Sequence, residues 1–399
     1  MAYRYENGTL TAVGTKGSYN LAQIAKEAGG PVYVYNLAHI TDRVNFLRSA
    51  FKKIKPSIHY AMKANDQQDV LRTLREAGTL IDTVSAGEVK IAIKNGFKAE
   101  QIIFSGVAKS KDEITYALKT GIKQINVESP SELRRIAQIA KDLKLRASVA
   151  FRMNPDVNPQ THPYITTGFR ENKFGMDDSF LPELIEILRA NPESLNLRGL
   201  TLHIGSQLLE LSSLKEAIEK TKAVFLDLKA KGFTLDRFDV GGGVGINYQT
   251  DDETAERKLL SDYAAMVDSL LAELNVEVIL EPGRTLVARS GLLIGEVQYI
   301  KDTQYKKFAI LNTGMNHLLR PALYQAKHRV LPLNWSKSAT KTYDIVGPIC
   351  ESADFLAQKV ELPEVREGDF IAIADAGAYG RVMASHYNAH ELPKEVALT

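Results

Sequence analysis

The chain is almost without cysteine. Cys350 is the only one in 399 residues, which excludes an intrachain disulfide and a zinc cluster built from several thiolates. Net charge is nearly absent too: 50 Lys and Arg against 48 Asp and Glu leave +2, without the concentrated basic excess that nucleic-acid binding requires. No apolar run approaches the roughly 20 residues that span a bilayer. The polar first ten residues lack the apolar stretch of a signal peptide. Low-complexity tracts and sequence repeats are missing as well. What remains is an ordinary globular composition, 44% hydrophobic and 25% charged, in a chain long enough for two or three domains. The expected class is a cytoplasmic enzyme with no nucleic-acid partner and no membrane association.

Short β-rich apolar runs alternate with stretches of 3.6-residue periodicity. The runs over 58–62, 80–84, 101–104, 122–127, 145–151, 197–203, 237–240 and 276–280 read as strands. The stretches over 69–77, 87–95, 130–143 and 213–230 read as helices between them. Ser129 and Pro130 form an N-cap and first-turn pair. Eightfold strand–helix alternation predicts a closed (β/α)8 TIM-type barrel; an open doubly wound sheet is the alternative. After Glu281 the pattern changes to β-favouring stretches over 291–300, 307–311, 343–346 and 370–373, which predict a mainly antiparallel β-barrel or sandwich domain. The short runs over 3–5 and 10–13 are expected to pair with that domain, and 37–53 to form a helix at the barrel entrance. The expected division is 31–284 for the barrel and 1–30 plus 285–399 for the β domain.

In a barrel of this type the chemistry lies at the C-terminal ends of the strands. The residues there include Lys63, Ser85, Ser105, Glu128, Arg152, His203, the run Gly241–Gly242–Gly243, and Glu281. Strand ends are commonly polar because loops are wet, and that suffices for Ser105 and Glu128. Lys63 leaves an apolar strand, where a lysine usually snorkels to water. Desolvated in a barrel mouth, it becomes a Schiff-base nucleophile instead. The glycine run frees backbone N–H groups to face an anion. It is not a dinucleotide fingerprint, since Ile246 stands where the third glycine is required. Glu281-Pro282-Gly283-Arg284 would complete a phosphate cradle after the eighth strand. His386 and His390 stand four apart without the glutamate of a zinc-protease helix, so no metal site is expected.

Six segments occur in order: Tyr60-Ala61-Met62-Lys63-Ala64-Asn65, His203-Ile204-Gly205-Ser206-Gln207, Gly241-Gly242-Gly243, Glu281-Pro282-Gly283-Arg284, Gly347-Pro348-Ile349-Cys350-Glu351-Ser352-Ala353-Asp354 and Asp375-Ala376-Gly377-Ala378-Tyr379-Gly380. Together they resemble the diaminopimelate decarboxylase family, pyridoxal-phosphate enzymes of the alanine-racemase-like fold. The resemblance covers nearly the whole chain.

That resemblance implies pyridoxal 5'-phosphate as cofactor and meso-diaminopimelate as substrate, with L-lysine and CO2 as products of the last step of lysine biosynthesis. It implies that Lys63 carries the cofactor and that His203 stacks on its ring. Ser206, Gly241, Gly242, Gly243, Gly283 and Arg284 would hold its phosphate. Tyr379 would lie near both phosphate and substrate, and Glu281 would face the pyridine nitrogen. Arg284, Arg320 and Tyr324 are implied as the substrate-carboxylate clamp. Cys350 is implied as the proton donor and Glu351 as a contact to the far amino group. Both would act in a neighbouring subunit's site, which implies a homodimer. Asp82, Ser85, Glu88, Arg152 and Asn154 are further polar candidates. The competing readings are a decarboxylase of ornithine, arginine or carboxynorspermidine, a racemase of the same fold, and a non-catalytic cofactor-binding barrel.

Overall fold

The computed structural model describes residues 2–158, 172–336 and 338–399. The chain divides into two compact units. The first comprises Met1–Arg43, Asn247–Glu253 and Arg284–Thr399, and the second comprises Val44–Ile246 and Thr254–Gly283. Strands are numbered along the chain.

The first unit begins with β1 (Tyr3–Glu6), β2 (Thr9–Gly14), β3 (Gly17–Asn20) and β4 (Val32–Asn36). The second contributes β5 (Ser57–Ala61), β6 (Leu80–Thr83), β7 (Ile102–Phe104), β8 (Gln124–Val127), β9 (Ala147–Met153), β10 (Leu195–Leu202), β11 (Arg237–Asp239) and β12 (Glu277–Leu280). The first unit resumes with β13 (Gly291–Asp302), β14 (Lys307–Leu311), β15 (Val330–Pro332), β16 (Thr340–Val346), β17 (Phe355–Pro363), β18 (Phe370–Ile373) and β19 (Lys394–Leu398).

In the second unit, β5 to β12 pair in parallel and in sequence, and β12 pairs with β5 to close an eight-stranded barrel. This is the predicted TIM-type architecture. Its helices follow from local signals. Pro130–Leu143 starts behind Ser129, whose side chain accepts from the Glu132 N–H, and proline fills the first turn. Gln68–Glu76 and Ala86–Lys94 turn Val70, Leu71 and Leu74, and Val89 and Ala92, inward. The barrel interior is polar in part: His59, Asp82, Gln124, Asn126, Thr201 and Asp239 are all buried. Ser105 Oγ donates to Asp82 Oδ1 (2.7 Å) and receives Asn126 Nδ2 (3.1 Å), and Gln124 Nε2 donates to Asn126 Oδ1 (2.8 Å). This chain of bonds satisfies groups that burial would otherwise penalise.

In the first unit a mixed sheet runs β15-β18-β13-β14-β16-β17, and β4 joins β13 on one edge and β19 on the other. Most pairings are antiparallel; β14 with β16 and β4 with β19 are parallel. At the N-terminus the expected pairing with the C-terminal segment is found in part. Strands β1, β2 and β3 form a small sheet of their own, touching the C-terminal segment through the Thr9–Asn334 bridge and the Leu10 N–H on Leu333 O (2.8 Å). The boundary differs from the expected division. Residues 31–43 fall in the first unit because β4, buried along its length, is a central strand of that sheet. The segment Asn247–Glu253 also belongs there. Arg289 Nη2 donates to Asn247 O (2.6 Å) and Thr250 O (2.8 Å), and Arg329 pairs with Asp251 at 3.1 Å. A helix is found over Leu37–Ala50.

Candidate active site

The barrel unit gathers one set of candidates through backbone packing. Lys63 lies in a single 3-10 turn, Met62–Ala64, directly after β5. Gly283 packs on both sides of it. A Cβ there would lie 3.1 Å from that of Ala64 and 3.3 Å from that of Ala61. The glycine run after β11 is tighter. A Cβ on Gly241 would meet Leu202 O at 2.2 Å, one on Gly242 would meet Glu281 O at 2.2 Å, and one on Gly243 would meet Gly205 O at 2.4 Å. Gly241 and Gly243 also have positive φ, 66° and 112°. No side chain fits at these positions. The glycines therefore bring the ends of β10, β11 and β12 together, and with them His203, Ser206 and Glu281.

The Gly242 N–H donates to His203 Nδ1 at 3.3 Å. Burial, with Lys63 and Arg152 nearby, holds the His203 pKa well below its ordinary value, so the imidazole is neutral. Glu281, Asp239 and Asp82 form a buried acidic group. Burial raises all three pKa values; the charges of Asp239 and Asp82 raise that of Glu281 further, Asp82 raises that of Asp239, and Lys63 opposes the rise at Glu281 and Asp82. Asp239 is pushed up to about 7. Glu281 Oε1 is buried with no hydrogen-bond partner among the described residues. Such an oxygen is costly unless a donor reaches it. A protonated ring nitrogen supplies both the donor and the positive charge. The donor set of this unit thus fits a pyridoxal cofactor, with a lysine amine, a buried carboxylate that keeps one oxygen unsatisfied, and a glycine cradle.

A second set lies in the β unit. Arg284 and Arg320 are 6% and 5% exposed. Arg284 Nη1 donates to the Tyr248 hydroxyl at 2.6 Å, and its guanidinium lies 4.8 Å from the Tyr379 ring centre. The Arg320 guanidinium lies 4.4 Å over the Tyr248 ring, and Nη1 is 2.8 Å from His328 Nε2. Burial lowers the Arg320 pKa against the opposing pull of Tyr248, Tyr379 and Tyr324, and Tyr324 also acts on Arg284, which places its hydroxyl in the field of both. Two buried guanidiniums walled by tyrosine suit a planar carboxylate. Cys350 and Glu351 occupy a different part of the unit, the exposed turn between β16 and β17. The Cys350 N–H donates to Asn388 Oδ1 (3.2 Å), and the Tyr387 hydroxyl donates to Glu351. Asp354 shapes the turn by accepting from the Met315 and Ile349 N–H groups, each at 2.6 Å.

Arg152 and Glu128 form a buried ion pair at 2.6 Å, with Glu128 Oε2 accepting the Gly175 N–H at 2.7 Å. Ser85 caps a helix by accepting the Glu88 N–H, and Asn154 Nδ2 donates to Phe174 O. Tyr248, His328 and Asp239 were not anticipated from the sequence. Asp239 carried a usable signal, an acid on a short buried strand two residues before a glycine run. Tyr248 carried none, because its role depends on residues more than thirty positions away.

Residues 37–288 match the pyridoxal-binding domain of the pyridoxal-dependent decarboxylases. The diaminopimelate decarboxylase of Aquifex aeolicus is 40% identical over 98% of this chain and 91% of its own length. The chain belongs to the diaminopimelate decarboxylase family. A Helicobacter pylori diaminopimelate decarboxylase is 42% identical over 95% of this chain and 93% of its own. A crystal structure of a diaminopimelate decarboxylase from that organism, complexed with L-lysine, aligns with a TM-score of 0.90 at 40% identity, covering 95% of this chain and 94% of that one. The arginine decarboxylase of a Chlorella virus aligns with a TM-score of 0.84 at 21% identity and shares the fold. The family is pyridoxal-dependent, so the chain takes pyridoxal phosphate as its cofactor. Among the described residues no helix is long and apolar enough to cross a membrane.

Proposed function

We propose that the chain decarboxylates meso-2,6-diaminopimelate at its D-configured centre, giving L-lysine and CO2 as the last step of lysine biosynthesis. The observation that carries this reading is the buried pair Arg284 and Arg320. Among the described residues Arg320 makes its hydrogen bond to the neutral His328 rather than to a carboxylate. A buried guanidinium without an anionic partner is held at a desolvation cost, and a ligand carboxylate offsets it. Diaminopimelate has a second carboxylate for this purpose, whereas ornithine, arginine and lysine have none. The H. pylori relative complexed with L-lysine supports the same choice of product.

In this reading Lys63 holds the cofactor carbonyl, and Ser206, Gly241, Gly242, Gly243, Gly283 and Arg284 receive its phosphate, with Tyr379 beside it. When bound, pyridoxal 5'-phosphate supplies the electron sink that accepts the pair released as CO2 departs. Glu281 keeps a proton on the ring nitrogen, the protonation state its buried oxygen requires. His203, neutral and fixed by Gly242, offers a flat face without a competing charge. Arg320 and Tyr324, with Arg284, orient the distal end of the substrate. Cys350 delivers a proton to the substrate Cα, and Glu351 holds the far amino group. The exposure of Cys350 in a single chain supports action in a second copy's site, and therefore a homodimer. Its one cysteine fits a cytoplasmic enzyme.

The test is stoichiometric. Incubation of the holoenzyme with meso-diaminopimelate should release L-lysine and CO2 in equal amounts. Absence of lysine formation defeats the reading.

A further inference from the structure

We infer that His328 is a positioning residue for substrate recognition: it fixes the Arg320 guanidinium by accepting a hydrogen bond, and so tunes affinity for the substrate's distal carboxylate without touching it. The inference rests on the reading of Arg320 as a carboxylate ligand.

His328 is 6% exposed. Its Nε2 lies 2.8 Å from Arg320 Nη1, and its Nδ1 lies 2.8 Å from the Ala374 carbonyl oxygen. A guanidinium can only donate and a carbonyl can only accept. The ring therefore carries its proton on Nδ1 and presents a bare lone pair at Nε2. Ala374 is itself held, its N–H donating to Arg329 O at 2.9 Å directly after β18. The Tyr248 ring meets the imidazole edge to face, with centroids 4.9 Å apart at 65°. Burial and the charges of Arg320 and Arg284 push the His328 pKa down to about 3, so the acceptor stays available at any physiological pH.

The neutrality of the acceptor is what matters for recognition. An aspartate or glutamate at this position would orient Arg320 equally well, but it would neutralise the charge and compete with the substrate carboxylate. A neutral imidazole aims one edge of the fork and leaves its charge for the ligand. The rigid Ala374 tether sets that aim from the sheet rather than from a mobile loop.

Two substitutions separate this role from a structural one. In His328→Gln the side-chain oxygen reaches the place of Nε2. In His328→Asn the side chain reaches only the place of Nδ1, retaining the Ala374 bond and losing Arg320. With holoenzyme and meso-diaminopimelate, His328→Asn should raise KM roughly tenfold or more with little change in kcat, and His328→Gln should stay within about threefold of wild type. Adding His328→Asn to Arg320→Met should change KM no further. The inference is overturned if the order reverses, with asparagine rescuing and glutamine not, or if both variants lower kcat and melting temperature together. A second measurement does not depend on turnover. Histidine ring nitrogen NMR of the wild-type holoenzyme should show His328 protonated at Nδ1 and bare at Nε2. A proton on Nε2 would overturn the inference even if the enzyme is active. If wild type fails to act on meso-diaminopimelate while the NMR result holds, the proposed function fails and the Arg320–His328 geometry stands.

Discussion

Arg284 donates to the Tyr248 hydroxyl across 2.6 Å, and these two residues come from distant parts of the sequence. Tyr248 sits in the short segment Asn247–Glu253, which leaves the barrel sequence to join the β unit, and Arg284 opens the short helix Arg284–Val287. The hydroxyl orients one guanidinium while the ring carries the other, Arg320, at 4.4 Å. Tyr248→Phe removes the acceptor and keeps the ring. Loss of a hydrogen bond to a charged group costs about 1.5–3 kcal/mol, so kcat/KM for meso-diaminopimelate should fall roughly 10- to 150-fold. Wild-type kinetics in this variant would show that the bond has no role in the arginine pair.

Gly242→Ala tests the cradle. Its Cβ would lie 2.2 Å from the Glu281 carbonyl oxygen, a backbone atom that cannot swing aside, so the β11 and β12 ends must separate. Dialysed protein should lose bound cofactor, read from visible absorbance per chain. Gly30→Ala, where no atom lies within 4 Å of the added carbon, should retain it. Equal retention in both would contradict the packing argument.

The acidic group makes a pH-dependent prediction for cofactor-stripped protein. Burial raises the Asp239 pKa from its ordinary value to about 7, so the folded state binds this proton more tightly than the unfolded chain. The associated stability is complete below about pH 4 and is lost as pH rises through about 7, with a slope of at most about 1.4 kcal/mol per pH unit. Asp239→Asn removes that loss and keeps an oxygen for the Gly241 N–H, which Asp239 Oδ1 accepts at 2.8 Å. The variant should therefore gain stability relative to wild type between pH 5 and pH 8 in denaturant titrations. A difference that does not change with pH would contradict the shift.

The shared-site proposal predicts complementation. Lys63→Ala and Cys350→Ala homodimers should each be nearly inactive. In a mixed dimer one site takes both defects and the other neither, so full subunit exchange of equal amounts should restore roughly a quarter of wild-type sites by two-fold symmetry. No recovery after verified exchange would place Cys350 in its own chain's site.

The barrel was legible because each strand is a short apolar run bounded by turn residues, and periodicity alone separates strand from helix. The run expected over 80–84 is β6 at Leu80–Thr83, and the helix expected over 130–143 is Pro130–Leu143. Strand β4 was not legible. Val32–Asn36 lies where a barrel would begin, and only long-range pairing with β13 and β19 assigns it elsewhere. The same physics hid Tyr248 and His328. Single tyrosines and histidines are common in loops, and what they do is decided by guanidiniums that tertiary structure brings beside them. Lys63, Glu281 and the glycine run stood out by position, directly after apolar strands, and only the six segments taken together gave them expected roles.

The most direct test of the central claim is a comparison of kcat/KM for CO2 release from meso-diaminopimelate, L-ornithine, L-arginine and L-lysine, in wild type and in Arg320→Met. Wild type should prefer meso-diaminopimelate strongly, because only that substrate supplies a distal carboxylate to a buried guanidinium. Arg320→Met should lower its kcat/KM by roughly 10- to 150-fold and narrow the gap to lysine. Equal turnover of ornithine or lysine by wild type would contradict the assignment of the arginine pair and transfer the function to another basic amino acid.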